Sequence, residues 1–309
     1  MGKLKFVLSL ITKENDYQRE QAKSAEGVAG NLDIDLEIVY ADSDSVTQSS
    51  QLLDAIHRLK GSLHGILVEP AGGTAFPQVG RAAVSAGISW AVLNRDANSV
   101  ADLHRRFPGP AFAVSSDHVE VGKLQARQLA TLLPLGGTVL LIQGPSASLA
   151  AQHRMTGLQE QCPANIALKL IKSANWTEEG GHHAVSSWLR LMTSHQQQIH
   201  AVAAQNDLIA MGARKAFSEA VQSMGTGQWS NLPFLGIDGL ARTGQAWVNG
   251  GSLTATIIVP AVAGTALEMS AAAVTKKIAP PEVRLIPADS FPALELLRPA
   301  AAARSSAHF

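Results

Sequence analysis

The stretch His200-Ala-Val-Ala-Ala-Gln-Asn-Asp-Leu-Ile-Ala-Met-Gly-Ala213 decides how the rest of the chain reads. Ala201 to Ala204 is a run of small apolar side chains, suited to a strand covered on both faces. Gln205, Asn206 and Asp207 interrupt it, and Leu208, Ile209, Met211 and Ala213 then resume at helical spacing. Asn206 or Asp207 can cap that helix, its side-chain oxygen taking an orphan N–H of the first turn. Polar side chains thus stand at the carboxyl end of a buried strand, the place where open α/β sheets bind ligands.

Working outward, the same alternation recurs. Toward the amino terminus, Phe6 to Ile11 reads as a buried strand and a helix follows to about Leu32, with Ala22, Ala25, Val28 and Ala29 on one face. Ile34 to Tyr40, Gly65 to Val68 and Ser89 to Leu93 are further strands. Helices lie between them, one carrying Leu52, Leu53, Ile56 and Leu59, one covering Phe76 to Ala86. Residues 97 to 110 read as an irregular connection, ending in Phe107-Pro108-Gly109-Pro110, to a strand at Ala111 to Val114. Ser115-Ser116-Asp117 then opens a helix carrying Val121, Leu124, Leu129 and Leu132. Thr138 to Ile142 and Ile166 to Ile171 are strands, followed by helices through Arg154 to Gln161 and to about Met192. Beyond the opening stretch come strands at Phe234 to Ile237 and Ala255 to Val259, a helix from Pro260 to about Lys277, and a last strand at Val283 to Ile286. Units of about thirty residues with this order call for mostly parallel sheets and right-handed crossovers.

Composition agrees with such a fold and narrows the function. The 309 residues exceed the usual single domain, and 46% hydrophobic against 16% charged leaves ample material for two cores. Twenty-five basic residues balance twenty-five acidic ones. No basic stripe is available to attract nucleic acid, so no nucleic-acid partner is expected. No apolar run approaches roughly 18 residues, so no membrane insertion is expected. The single cysteine, Cys162, precedes Pro163 at a helix end and reads as a structural thiol. Met1 leads straight into the first strand; the expectation is a periplasmic protein if a signal peptide has been trimmed, and a cytoplasmic one if Met1 is the native start.

Five strand ends carry polar or aromatic groups: Asn15 with Tyr17, Glu69, Asn94 with Arg95, Asn206 with Asp207, and Asp238. Trp176 and Arg154 follow strands of the second half. Amides, carboxylates and guanidinium forks give directed hydrogen bonds, while an aromatic ring gives a flat apolar face. A sugar needs that mixture, because its hydroxyls donate and accept while its C–H faces are apolar. Each residue alone has an ordinary reading, as cap, turn or core; their recurrence at one topological position argues otherwise. Neither G-x-G-x-x-G nor a P-loop occurs, Gly144-Pro145-Ser146 is a weak phosphate signal, and His182-His183 points two ways from one helix. No nucleophile–base grouping is present, so no cofactor, metal or catalytic residue is expected and the chain does not read as an enzyme.

These residues resemble the ribose-type family of periplasmic sugar-binding proteins, whose type I fold is shared with the sensor domains of lactose-repressor-type regulators. The resemblance runs from Phe6 to about Pro287. It is carried by Leu93-Asn94-Arg95, Ser116-Asp117 followed by Gly122, Gln205-Asn206-Asp207 with Gly212-Ala213, Gly236-Ile237-Asp238-Gly239, and Leu253-Thr254-Ala255-Thr256-Ile257. It implies two Rossmann-like lobes with parallel-core sheets joined by three crossover segments: 1–114 with 260–279, and 115–259 with 280–297, leaving a tail at 298–309. It also implies hinge closure on a small sugar or sugar-like ligand in the interlobe cleft, by a monomeric solute receptor of an ABC importer. The alternative is a cytoplasmic sensor acting through a signalling partner, without a DNA-binding region of its own.

By the same resemblance Tyr17 and Trp176 would sandwich the ring, and Arg95 and Arg154 would donate to its oxygens. Asn15, Asn206 and Asp238 would complete the hydrogen bonds, with Ser116 near a crossover. Four departures stand out. Asn94 replaces an acidic residue, Glu69 replaces an amide, Gln18 stands where a second aromatic ring is common, and Val259 where an amide is common. The carboxylate has moved across the site, so the ligand need not be ribose; a deoxy-sugar, another pentose, a polyol or a related small molecule is open.

Overall fold

Every second side chain of the strands faces the same way, and in both halves of the chain each parity has its own helices to meet. A computed structural model describes residues 2–72, 76–95, 98, 100–107, 111–173, 175–191, 198–224 and 229–300. Gly73, Asp96, the Pro108-Gly109-Pro110 connection, the helix end at Met192 and the final residues 301–309 lie outside the described residues. The chain divides into two compact units, Met1–Asp117 with Pro260–Ile286, and His118–Val259 with Pro287–Phe309, so it passes from one to the other three times.

The first unit holds a six-stranded sheet. In chain order it has β1 (Leu4–Leu10), α1 (Asp16–Asn31), β2 (Ile34–Tyr40), α2 (Ser45–Arg58), β3 (Leu63–Val68), α3 (Pro77–Ser85) and β4 (Ser89–Leu93). After these come α4 (Ala101–Arg106) and β5 (Ala111–Ser116). Its sheet order is β11-β5-β4-β3-β1-β2, where β11 is Val283–Ile286, and all its pairs are parallel. Val7, Ile66, Val68, Trp90, Val92 and Ala113 pack with Leu52 of α2, Val79 and Ala83 of α3 and Leu103 of α4. Phe6, Leu8, Leu67, Ala91, Leu93 and Phe112 face the other way, onto Ala22, Ala25 and Ala29 of α1 and onto Ala263, Ala266 and Leu267. Those last three begin α10 (Ala263–Lys276), a helix that belongs to this unit although most of the chain intervenes.

The second unit repeats the plan. It has α5 (His118–Leu132), β6 (Gly137–Gln143), α6 (Leu149–Gln161), β7 (Ile166–Lys172), α7 (Glu178–Leu189), β8 (Ala201–Ala204), α8 (Asp207–Met224) and β9 (Phe234–Leu235). Its parallel sheet runs β7-β6-β8-β9. Leu140, Ile142, Val202 and Ala204 meet α7 and α8, whereas Val139, Leu141, Ala201 and Ala203 meet Leu129 and Leu132 of α5 and Leu158 of α6. Helices α5 and α6 cross at two glycines. A Cβ on Gly122 would overlap the Arg154 carbonyl oxygen, and one on Gly157 would overlap that of Val119, so the two backbones touch directly.

The observed elements follow the expected alternation, with differences that have local causes. Residues 280–286, which the sequence-based division puts with the second lobe, lie in the first unit, because β11 completes the sheet beside β5. A short helix, α4, occupies part of the connection read as irregular, and α9 (Gly244–Asn249) was not expected. The strand read at Phe234 to Ile237 is only two residues long; Leu235 within it and Asp238 beyond it form isolated bridges to Ala255 and Ile258. Thr256–Ile258 (β10) then pairs antiparallel with Asp289–Phe291 (β12). Of the stretch read as a tail, Ala300 donates its N–H to the Leu132 carbonyl and packs on the second unit's core.

Candidate functional site

In the first unit the polar groups gather at the carboxyl ends of β1, β3 and β4. Glu69 follows β3 and is 5% exposed. Its Oε1 accepts from Asn94 Nδ2 at 3.0 Å and its Oε2 from Gln21 Nε2 at 3.1 Å. Burial raises its carboxyl above the usual range, opposed in turn by the amides of Asn94 and Gln18, the charge of Arg95 and the amide of Gln21. Gln48 holds the strand end itself, donating to the Glu69 carbonyl at 3.0 Å and accepting from the Ala71 N–H at 2.7 Å.

Asn94 follows β4 with φ of +52°, a left-handed conformation that Asn tolerates better than most residues. Its Nδ2 also reaches the Tyr17 hydroxyl at 3.3 Å, and that hydroxyl donates to the Pro260 carbonyl at 3.1 Å. Tyr17, Glu69 and Asn94 are therefore one connected group. Arg95 turns back on the loop after β3, donating to the carbonyls of Asn94, Pro70 and Gly72. Asn15 caps α1, its Oδ1 accepting from the N–H groups of Tyr17 and Gln18. Ser116 is buried at the end of β5, on the strand next to β4.

In the second unit the centre is Arg154, 6% exposed on α6. Its guanidinium donates to the Gln205 carbonyl, lies 3.7 Å from the Asp238 carboxylate and stands over the Trp176 ring at 5.7 Å. Its neighbours are themselves fixed. Gln205 accepts from the Gly144 N–H at 3.1 Å and donates to the Ala151 carbonyl at 3.0 Å. That Gly144 N–H is thus engaged, which answers the weak phosphate signal noted there. Trp176 lies directly against Gly144, where any side chain would collide with its ring.

The opening stretch resolves into two separate tasks. Asn206 is the cap of α8, its Oδ1 accepting from the Ile209 N–H at 2.8 Å while Nδ2 donates to the Trp176 carbonyl at 3.1 Å. Asp207 instead ties strand ends together, accepting from the Gly239 N–H at 2.8 Å and the Thr256 hydroxyl at 2.6 Å. Asp238 has φ of +117° and its carboxyl is pushed up to about 6 by burial, against the pull of Arg154. Burial and the nearby Asp238 charge raise Asp207 well above the carboxylate range. Of these two carboxyl groups, Asp238 is the one at ion-pair distance from Arg154.

Of the residues expected at the site, Tyr17, Glu69 and Asn94 meet in one unit, and Arg154, Trp176 and Asp238 in the other, with Asn206 bonded to the Trp176 backbone. Four further polar residues take part: Gln18 and Gln21 on α1, and Gln205 and Thr256 in the second unit, the last bonded to Asp207. Gln18 and Gln21 share the buried face of α1 with Ala22, Ala25 and Ala29, so a polar residue within an apolar stripe was the available signal. Cys162 ends α6, and burial pushes its thiol up, in keeping with a structural role.

Parallel sheets with ligand-type groups at their carboxyl ends, divided into two units, define the type I periplasmic binding protein fold. Residues 6–278 match the periplasmic binding protein domain, and the chain belongs to that family, whose members are non-catalytic solute-binding proteins. A putative rhizopine-binding protein of Rhizobium meliloti is 30% identical over 205 residues, 64% of this chain and 62% of that protein. The match thus spans a little under two thirds of that relative's length. An ABC transporter periplasmic solute binding protein of Actinobacillus succinogenes, solved with bound D-allose, superposes with a TM-score of 0.79 at 23% identity, over 93% of this chain and 97% of that one. A solute binding protein of Bacillus halodurans, solved with bound myo-inositol, gives 0.77 at 22% identity, over 94% of each. At such identities the two structures speak for the fold alone.

Proposed function

We propose that this chain is a non-catalytic receptor for a small polyhydroxylated solute, a sugar or polyol, which it delivers to an ABC importer. The observation that carries this reading is the Arg154 group. A guanidinium held by the Gln205 carbonyl and Asp238, and stacked over Trp176, combines directed donors with an apolar ring face. Sugars and polyols present hydroxyls and C–H faces to such a surface. The Tyr17, Glu69 and Asn94 group of the first unit adds the same chemistry. The related proteins named for D-ribose and D-allose, for xylitol and for rhizopine, and the folds solved with D-allose and myo-inositol, lie within this solute class. A periplasmic location and a monomer working with a membrane permease complete the proposal.

Calorimetric titration of D-ribose, D-allose, xylitol and myo-inositol, beside mass spectrometry of whatever co-purifies, tests it. One or more of the four binding in the micromolar range or tighter is the expected result. Weak or absent binding of all four, with no polyhydroxylated molecule co-purifying, would overturn it.

A further inference from the structure

Glu69 has three carboxamides about it, and two of them, Asn94 and Gln21, turn their NH₂ groups onto its oxygens. Asn94 Nδ2 donates to Oε1 and Gln21 Nε2 to Oε2, and the Gln18 amide lowers the carboxyl's proton affinity in the same sense. Two of the three carbonyl oxygens are then taken up by backbone. Gln18 Oε1 accepts from the Ile11 N–H at 2.9 Å, and Gln21 Oε1 accepts from the Val262 and Ala263 N–H groups at 2.8 and 2.9 Å. The third oxygen, Asn94 Oδ1, is buried and accepts no hydrogen bond among the described residues.

The direction of this network is not a matter of choice. The Val262 and Ala263 N–H groups can only donate, which fixes Gln21 with its nitrogen toward Glu69. At the other end the Pro260 carbonyl can only accept, so the Tyr17 hydroxyl gives it its proton and offers a lone pair to Asn94 Nδ2. Reversing the Asn94 amide would set its oxygen against a carboxylate oxygen and a hydroxyl oxygen at once. An amide has no third arrangement in that plane.

The geometry points to Glu69 as a positioning residue that locks the Asn94 amide with its carbonyl oxygen presented, making Asn94 Oδ1 a neutral, acceptor-only contact for a solute hydroxyl. This rests on the proposed function for the solute, but the lock itself is a property of the unliganded protein. It also revises the expectation that the relocated carboxylate meets the ligand directly, since both Glu69 oxygens already accept from protein amides. The charge supplies orientation, and the neutral neighbour supplies the contact.

A double-mutant cycle tests the affinity consequence, using whichever of D-ribose, D-allose, xylitol and myo-inositol the wild type binds most tightly. Glu69→Gln replaces a charge-assisted anchor with a neutral amide that can itself turn, so affinity should fall on the order of tenfold. Asn94→Asp alone places two carboxyl groups side by side and should cost at least as much. The combined variant restores one carboxylate facing one amide, and should return to within a few-fold of wild type. Losses that simply multiply would overturn the proposal.

The second measurement needs no solute. In ¹H–¹⁵N spectra the Asn94 side-chain pair, identified by its disappearance in Asn94→Asp, should be slow to exchange with water. In Glu69→Gln the pair should exchange at least tenfold faster while backbone signals of β4 stay in place. An unchanged pair would overturn the lock. Should none of the four compounds bind wild type and no polyhydroxylated molecule co-purify, the functional reading fails and the amide measurement decides this inference by itself.

Discussion

Arg154 lies 3.7 Å from the Asp238 carboxylate, yet that carboxyl titrates at about 6. Burial outweighs the attraction of a guanidinium at that distance, one already committed to the Gln205 carbonyl. An Asp whose native value is raised binds more protons folded than unfolded between roughly pH 4 and 6. Its contribution to stability is therefore present at low pH and lost as pH rises through the native value. Asp238→Asn should remove this slope, so the stability difference between variant and wild type should grow in favour of the variant from pH 4 to 6.5. Urea unfolding across that range measures it; a difference independent of pH would contradict the assignment.

Asp207 should prove structural in its effect. Asp207→Ala leaves the Gly239 N–H and the Thr256 hydroxyl without their acceptor, at about 1–3 kcal/mol each. Relief of the repulsion with Asp238 recovers part of this, so a net loss of about 2–4 kcal/mol at pH 7 is expected from urea unfolding. A loss smaller than about 0.5 kcal/mol would show that these ties hold nothing.

The α5–α6 crossing sets up a contrast between glycines. Gly122→Ala drives a methyl into the Arg154 carbonyl and must push two helices apart, at a cost of about 3 kcal/mol or more. Gly27→Ala, on the exposed face of α1 with open space around it, should stabilise by about 0.5–1 kcal/mol. Thermal unfolding of the two variants should move in opposite directions. Equal shifts would mean that the close approach is not tight.

Arg154→Lys keeps the charge and discards the planar fork. The ammonium cannot donate to the Gln205 carbonyl, face Asp238 and stack on Trp176 at once. Under the proposed function, solute affinity should fall on the order of 10–100-fold, about 1.4–2.8 kcal/mol. Isothermal titration of the tightest-binding solute reads this directly, and an unchanged affinity would remove Arg154 from the recognition surface.

The fold was legible because its strands are covered on both faces. Val139 to Ile142 and Ala201 to Ala204 are apolar without interruption, which reads as buried strand whatever the neighbours. Elements lacking such a signal were missed. Asp289–Phe291 has neither length nor alternation, and it exists as a strand because Thr256–Ile258 lies opposite. The strand-end residues were legible by position, but their division of labour was not. Asn206 and Asp207 are adjacent and chemically alike; only the placement of Gly239 and Thr256 makes one a cap and the other a tie. The glutamines were hardest, since an amide within a helix reads as solvated until the carboxylate it faces is known.

Helix α10 and strand β11 belong to the first unit, although the ribosome makes them only after almost all of the second. At roughly 5–20 residues per second, the nascent first unit waits many seconds with the Ala22, Ala25 and Ala29 face of α1 uncovered and the edge of β5 unpaired. The second unit has its whole sheet in hand earlier, needing only β12 and the segment to Ala300 to finish. The main sheets are therefore completed against the direction of synthesis: the sheet begun first is the one that receives its last strand later. During that interval an open strand edge and an apolar helix face are exposed together, and that is where a chaperone or an aggregate would find this chain.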